Sequence, residues 1–132
     1  MTEEQLAYTI KTSKPFTELV DAIQTEAMKR NFRTLHTHNV QQTLGEKGLS
    51  IEPYSIIEVC NAFFAYEVIQ KYKPIGMMLP CRIVVYAEGE ENTIILMRPS
   101  LMSELITDAD FGCIPADVEK ILKEVIEEAA KG

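Results

Sequence analysis

The chain begins with an alternation in which Leu6, Tyr8 and Ile10 interleave with Ala7, Thr9 and Lys11. A period of two is what a strand shows when one face is buried. After Ser13, a candidate cap, and Pro15, placed in a first turn, the spacing lengthens. Phe16, Leu19, Val20, Ile23 and Ala27 fall on one stripe and predict a helix ending near Asn31. Residues 32–40 are rich in Thr and aromatic side chains and read as a second strand, with a polar face carrying Thr34, His36 and His38. Val40 and Leu44, followed by the stops Gly45 and Gly48, predict a short helix. Pro53 then precedes the β-branched run Tyr54-Ser55-Ile56-Ile57-Glu58-Val59-Cys60, a third strand. Asn61 is a good N-cap residue. Behind it Ala62, Ala65, Tyr66, Ile69 and Tyr72 keep a helical period until Pro74 forbids continuation.

Residues 82–88 and 92–98 are two apolar runs joined by Gly89-Glu90-Glu91, the pattern of a β-hairpin. Residues 99–115 carry no clear period, and a loop of that length in a small domain is a candidate functional segment. Val118, Ile121, Leu122, Val125, Ile126 and Ala129 complete the chain with an amphipathic stripe. The predicted order is β-α-β-(α)-β-α-β-β-α. Two helices with single apolar stripes imply an α+β fold, a mostly antiparallel five-stranded sheet with helices packed on one face. No repeat or linker divides residues 1–132, so a single domain is expected.

Charge narrows the partners. Thirteen basic against twenty acidic residues leave a net charge of −7 in a chain that is 46% hydrophobic. Binding to a phosphate backbone needs a basic footprint, so nucleic acid is not an expected partner. No segment reads as a secretory signal or approaches the ~20 apolar residues of a membrane helix, so no membrane partner is expected either. Cys60, Cys81 and Cys113 are odd in number and lack a C-x-x-C spacing. That is neither a disulfide framework nor a zinc ribbon, and free thiols point to the cytoplasm.

The candidate chemistry gathers around Cys60. It precedes a helix, where unpaired N–H groups and the positive dipole end would stabilise a thiolate; the alternative is a cysteine buried as a small apolar residue. Cys81 opens the fourth strand. It joins Cys60 at one end of the sheet if the two strands are antiparallel, and lies at the opposite end if they are parallel. Glu58, two residues before Cys60, falls on the same strand face. Glu58, Cys60 and Cys81 are therefore candidate metal ligands, with Zn²⁺ the candidate ion and Glu58 alternatively a proton acceptor. His36 and His38 share a strand face and are weaker candidates for a metal, or for pairing with a catalytic cysteine. Met77, Met78, Met97 and Met102 are soft donors that raise Cu(I), against a core-filling role. Phosphate loops, dinucleotide fingerprints, zincin and hydrolase-elbow motifs are absent.

Glu58-Val59-Cys60-Asn61, Gly76-Met77-Met78-Leu79-Pro80-Cys81-Arg82-Ile83-Val84-Val85-Tyr86 and Arg98-Pro99 together resemble the bacterial and archaeal family called domain of unknown function 302. Its pattern has C-N-P after a strand, L-P-C opening a hairpin and a Pro closing it. Lys14-Pro15-Phe16 and Asn31-Phe32 extend the resemblance over nearly the whole chain. Ala62 departs from it, standing where the family usually has Pro, so the proline's pre-organisation of the helix start is missing. The resemblance implies a TATA-binding-protein-like sheet, frequent pairing as a homodimer, and the antiparallel arrangement that brings Cys60 close to Cys81. It implies no activity.

Three functions remain open from these residues. One is a dimeric domain whose Cys60, Asn61, Cys81 and Glu58 hold a metal or a small thiol-reactive ligand. The second is an enzyme using a cysteine as nucleophile or redox thiol, and the third an interaction module whose cysteines are core.

Overall fold

The structure, a computed structural model, describes residues 1–132. Its elements are α1 (Glu3–Leu6), β1 (Ala7–Thr12), α2 (Phe16–Lys29), β2 (Arg33–Asn39), α3 (Val40–Gly45), β3 (Tyr54–Cys60), α4 (Ala62–Lys71), a 3-10 helix (Lys73–Met78), β4 (Cys81–Glu88), β5 (Glu91–Met97), α5 (Leu101–Leu105) and α6 (Ile114–Ala130). The five strands form one sheet in the order β1-β5-β4-β3-β2. Every neighbouring pair is antiparallel. The α+β architecture expected from the periodicity is the one observed.

Strand alternation decides what lies under the helices. Ile57 and Val59 of β3, Ile83 and Val85 of β4, and Ile94 and Leu96 of β5 are buried on one face, against Leu19, Ile23 and Ala27 of α2 and Val118, Leu122, Val125, Ile126 and Ala129 of α6. Burial of this kind is the main stabilising term, roughly 1.5–3 kcal/mol for each fully enclosed aliphatic or aromatic side chain. The opposite face carries Tyr54, Ile56, Glu58, Arg82, Val84, Tyr86 and Ile95, none of which belongs to that core. Tyr54 and Tyr86 stack across β3 and β4 with ring centroids 5.9 Å apart.

Polar contacts fasten the ends. The Lys14 ammonium donates to the carbonyls of Ala129 and Lys131, placing a cation where the α6 dipole is negative. The Tyr8 hydroxyl donates to Glu119, and Glu119 also accepts from the Ser100 amide and hydroxyl. One carboxylate thus joins β1, the start of α5 and α6.

Several expectations need correction. Ser13 does not cap α2; Pro15 occupies the N-cap position and no side chain accepts there. The helix ends at Lys29, and Asn31 adopts φ 64°, a left-handed turn that lets the Phe32 amide reach back to the Ala27 carbonyl. The short α1 was not foreseen, because four residues carry too little periodicity. Residues 99–115 are not a structureless loop. They contain α5 and send Leu101, Met102 and Phe111 into the interior. Val68, Ile75, Met102 and Phe111 form a second, smaller cluster beside the main one, and Ile114 touches both.

Candidate functional site

β3 ends at Cys60 and α4 begins at Ala62, so Asn61 alone turns the chain from strand to helix. Its side-chain oxygen accepts from the Phe63 and Phe64 amides, and its NH₂ group donates to the Asn31 carbonyl. The capping role read from the sequence is present. With its oxygen committed to two amides, Asn61 borders the site as a structural residue more than as a polar ligand contact.

Antiparallel pairing of β3 with β4 sets Val59 opposite Cys81, so the two cysteines lie at the same end of the sheet. Cys60 and Cys81 line one narrow cavity of about 30 Å³, with Phe32, Phe64, Val68 and Val118 among its largely apolar walls. That is room for a water or two, and apolar walls give water few partners. Cys60, the last residue of its strand, also borders an outer hollow with Arg33, Leu35 and Phe63.

The electrostatics reverse one expectation. A helix start was expected to lower the Cys60 thiol; burial instead pushes it up. Cys81 is pushed up to about 11, chiefly by burial and to a lesser degree by Cys60, with Arg82 pulling the other way. At Cys81 desolvation disfavours a thiolate more than the arginine favours it. Burial thus favours the protonated thiol at both positions. Cys113 is exposed, and all three cysteines are free.

Glu58 does not join them as the third ligand. It pairs with Arg82 across the ladder, one register position away from Val59 and Cys81, and so projects from the face of the sheet opposite Cys81. There its Oε2 lies 3.6 Å from Arg82 Nη2 and its Oε1 lies 3.3 Å from His38 Nε2. His36 meets His38 edge-on at a centroid distance of 4.3 Å. The histidines therefore gather with Glu58, on the face opposite Cys81. No group of three or more His, Cys, Asp or Glu side chains is placed to hold a metal ion, which removes the Glu58-Cys60-Cys81 set proposed for Zn²⁺.

What sequence reasoning missed is the wall that encloses the thiols. Phe32, Phe64 and Val118 lie far apart in the chain and only the packing of α4 and α6 against the sheet end brings them together. Helical spacing marks Val118 as buried without saying against what, while Phe32 reads only as part of a strand and Phe64 falls outside the stripe read for its helix.

Comparison with known proteins agrees with this architecture. A crystal structure described as an uncharacterized conserved protein DUF302 from Bacillus stearothermophilus is 29% identical, with a TM-score of 0.87 over 96% of this chain and 98% of that one. No curated protein matches. No helix is long and apolar enough to cross a membrane. The family model for the domain of unknown function DUF302 matches residues 8–129, nearly the full length, and the chain therefore belongs to the DUF302 family.

Proposed function

We propose that this chain is a binding module whose site is the Cys60-Cys81 cavity, taking a small thiophilic ligand in place of performing nucleophilic catalysis. The observation that carries this reading is the placement of two free thiols, from separate strands, on the wall of one apolar cavity. A standing thiolate would suit an enzyme, and burial disfavours it at both positions. Protonated thiols can still condense with a thiophilic centre. Free cysteines fit a reducing compartment such as the cytoplasm, and the charge of −7 offers no footprint for nucleic acid despite the TATA-binding-protein-like fold that the resemblance implies.

Phenylarsine oxide tests the site directly. Two thiols each lose a proton, two As–S bonds form, and the oxide oxygen leaves as water. Intact mass spectrometry should find one phenylarsenic adduct on the protein and on Cys113→Ser, and none that survives dilution on Cys60→Ser or Cys81→Ser. An adduct unaffected by either of the last two substitutions overturns the reading, as does failure of the unmodified chain to bind.

A second reading concerns assembly. Ile56, Val84 and Ile95 form a half-buried apolar row on the sheet face opposite the main core. That row supports a homodimer formed face to face. Sedimentation of Val84→Glu beside the unmodified chain checks it: the unmodified chain should sediment as a dimer and the variant as a monomer.

A further inference from the structure

Four of the six methionines come from three separate segments of the chain, yet they meet at one place. Met77 and Met78 of the 3-10 helix, Met97 at the end of β5 and Met102 of α5 line a hollow of about 150 Å³, and Cys81 at the start of β4 lines it with them. Methionine ordinarily fills gaps in a core. Here Met77 is 69% and Met97 50% exposed, so neither fills one. Met102 is buried and Cys81 half-buried, which makes the hollow a graded path from exposed thioethers to a partly covered thiol.

Thioether and thiol sulfurs are soft donors that select Cu(I) over harder divalent ions. Arg82 and Arg98 also border the hollow and would repel a cation if unpaired. Each faces a carboxylate, however, Arg82 that of Glu58 at 3.6 Å and Arg98 that of Glu104 at 2.8 Å. Their charge is compensated outside the hollow, and the sulfurs set its chemistry.

We propose that this hollow is a site for a soft monovalent cation of the Cu(I) or Ag(I) class, with Cys81 as the anionic ligand and methionine thioethers completing the coordination. On binding, the Cys81 S–H bond breaks, an S–metal bond forms and the proton passes to solvent; no electron is transferred. Affinity therefore rises with pH, as it does wherever a ligand must lose a proton. The inference shares Cys81 with the thiol cavity but does not need Cys60, and that difference separates the two readings.

The test is anaerobic titration of Cu(I) into the untagged full chain in competition with bicinchoninate. The unmodified chain should withdraw one equivalent from the chromophore. Met77→Leu/Met97→Leu, at exposed positions where the fold is retained, should bind at least about tenfold more weakly, and Cys81→Ser should lose the site. Cys60→Ser and Cys113→Ser should bind like the unmodified chain. Three results overturn the proposal: no competition with bicinchoninate, a methionine double variant that binds undiminished, or loss of binding in Cys60→Ser. The last would assign the metal to the dithiol cavity.

Discussion

Val59 faces Cys81 across the β3–β4 ladder, whereas Glu58, its immediate predecessor, faces Arg82. A shift of one residue along a strand exchanges the two faces of a sheet. It is why the thiol of Cys81 lies on the side of the helices, in an apolar setting, while the Glu58 carboxylate, which sequence proximity placed beside Cys60, belongs to a polar group with His38 and Arg82. The thiols are left without the carboxylate as a shared ligand.

Alkylation should follow burial. Iodoacetamide at neutral pH is expected to modify exposed Cys113 first, Cys60 more slowly and Cys81 last. Because the Cys81 thiol is pushed up to about 11, its reaction should keep accelerating well above pH 9. Mass-resolved labelling rates check both statements; fast labelling of Cys81 below pH 8 would contradict them.

The main core predicts a contrast between positions. Ile83→Ala empties a fully buried site at the centre of the sheet and should cost about 2–5 kcal/mol. Phe63, although a larger side chain, is 83% exposed, and Phe63→Ser should stay within about 0.5 kcal/mol of the unmodified chain. Urea unfolding of the two variants measures the difference.

Glu119 links acid stability to a specific carboxyl. Burial pushes that group up, but hydrogen bonds from the Ser100 hydroxyl and amide and from Tyr8, with Arg98 nearby, outweigh it and leave it below the ordinary carboxylate value. A carboxyl lowered by folding contributes stability above its unfolded value of roughly 4.3, and the contribution is lost as pH falls through the lowered folded value. Glu119→Ala should therefore cost roughly 2 kcal/mol at pH 7, an estimate for hydrogen bonds to a charged group, and much less in strong acid. Chemical denaturation across pH 2–7 tests the sign; an equal cost throughout would refute the linkage.

The turn between α2 and β2 rests on a pair of asparagines. Asn61→Ala removes an N-cap from α4 and a donor to the Asn31 carbonyl, and should destabilise by about 1–2 kcal/mol. Asn31 itself holds φ 64°, so Asn31→Gly should be neutral or mildly stabilising, while the β-branched Asn31→Val should lose about 1–2 kcal/mol. Thermal melts of the three variants distinguish backbone strain from the loss of a side-chain contact.

The parts of this fold legible from sequence are those with a sustained period. β3 follows its β-branched run from Tyr54 to Cys60, and the α6 stripe places Val118, Leu122, Val125 and Ile126 in the core. Short or mixed segments were less legible. α5 spans only five residues in a stretch rich in loop-forming side chains, and its buried Leu101 and Met102 follow from tertiary packing more than from local pattern. The site divides in the same way. Strand pairing set Cys60 and Cys81 at one end of the sheet, but parity over one residue put Glu58 on the face opposite Cys81, and burial pushes the Cys60 thiol up where the helix start was expected to lower it. The methionines could be named from sequence but not placed, since their meeting depends on the 3-10 helix, β5 and α5 at once.

Met102 belongs to the small cluster with Val68, Ile75 and Phe111, and Met102 and Val68 also wall the thiol cavity. That cluster meets the main core through Ile114. Small cooperative units of this kind open at lower free energy than the whole molecule. A ligand larger than water should thus enter the thiol cavity by transient parting of this lobe, at a frequency set by a handful of side chains. Substitutions such as Ile75→Val would then tune the rate at which the site exchanges its contents while leaving the sheet and its two long helices as they are.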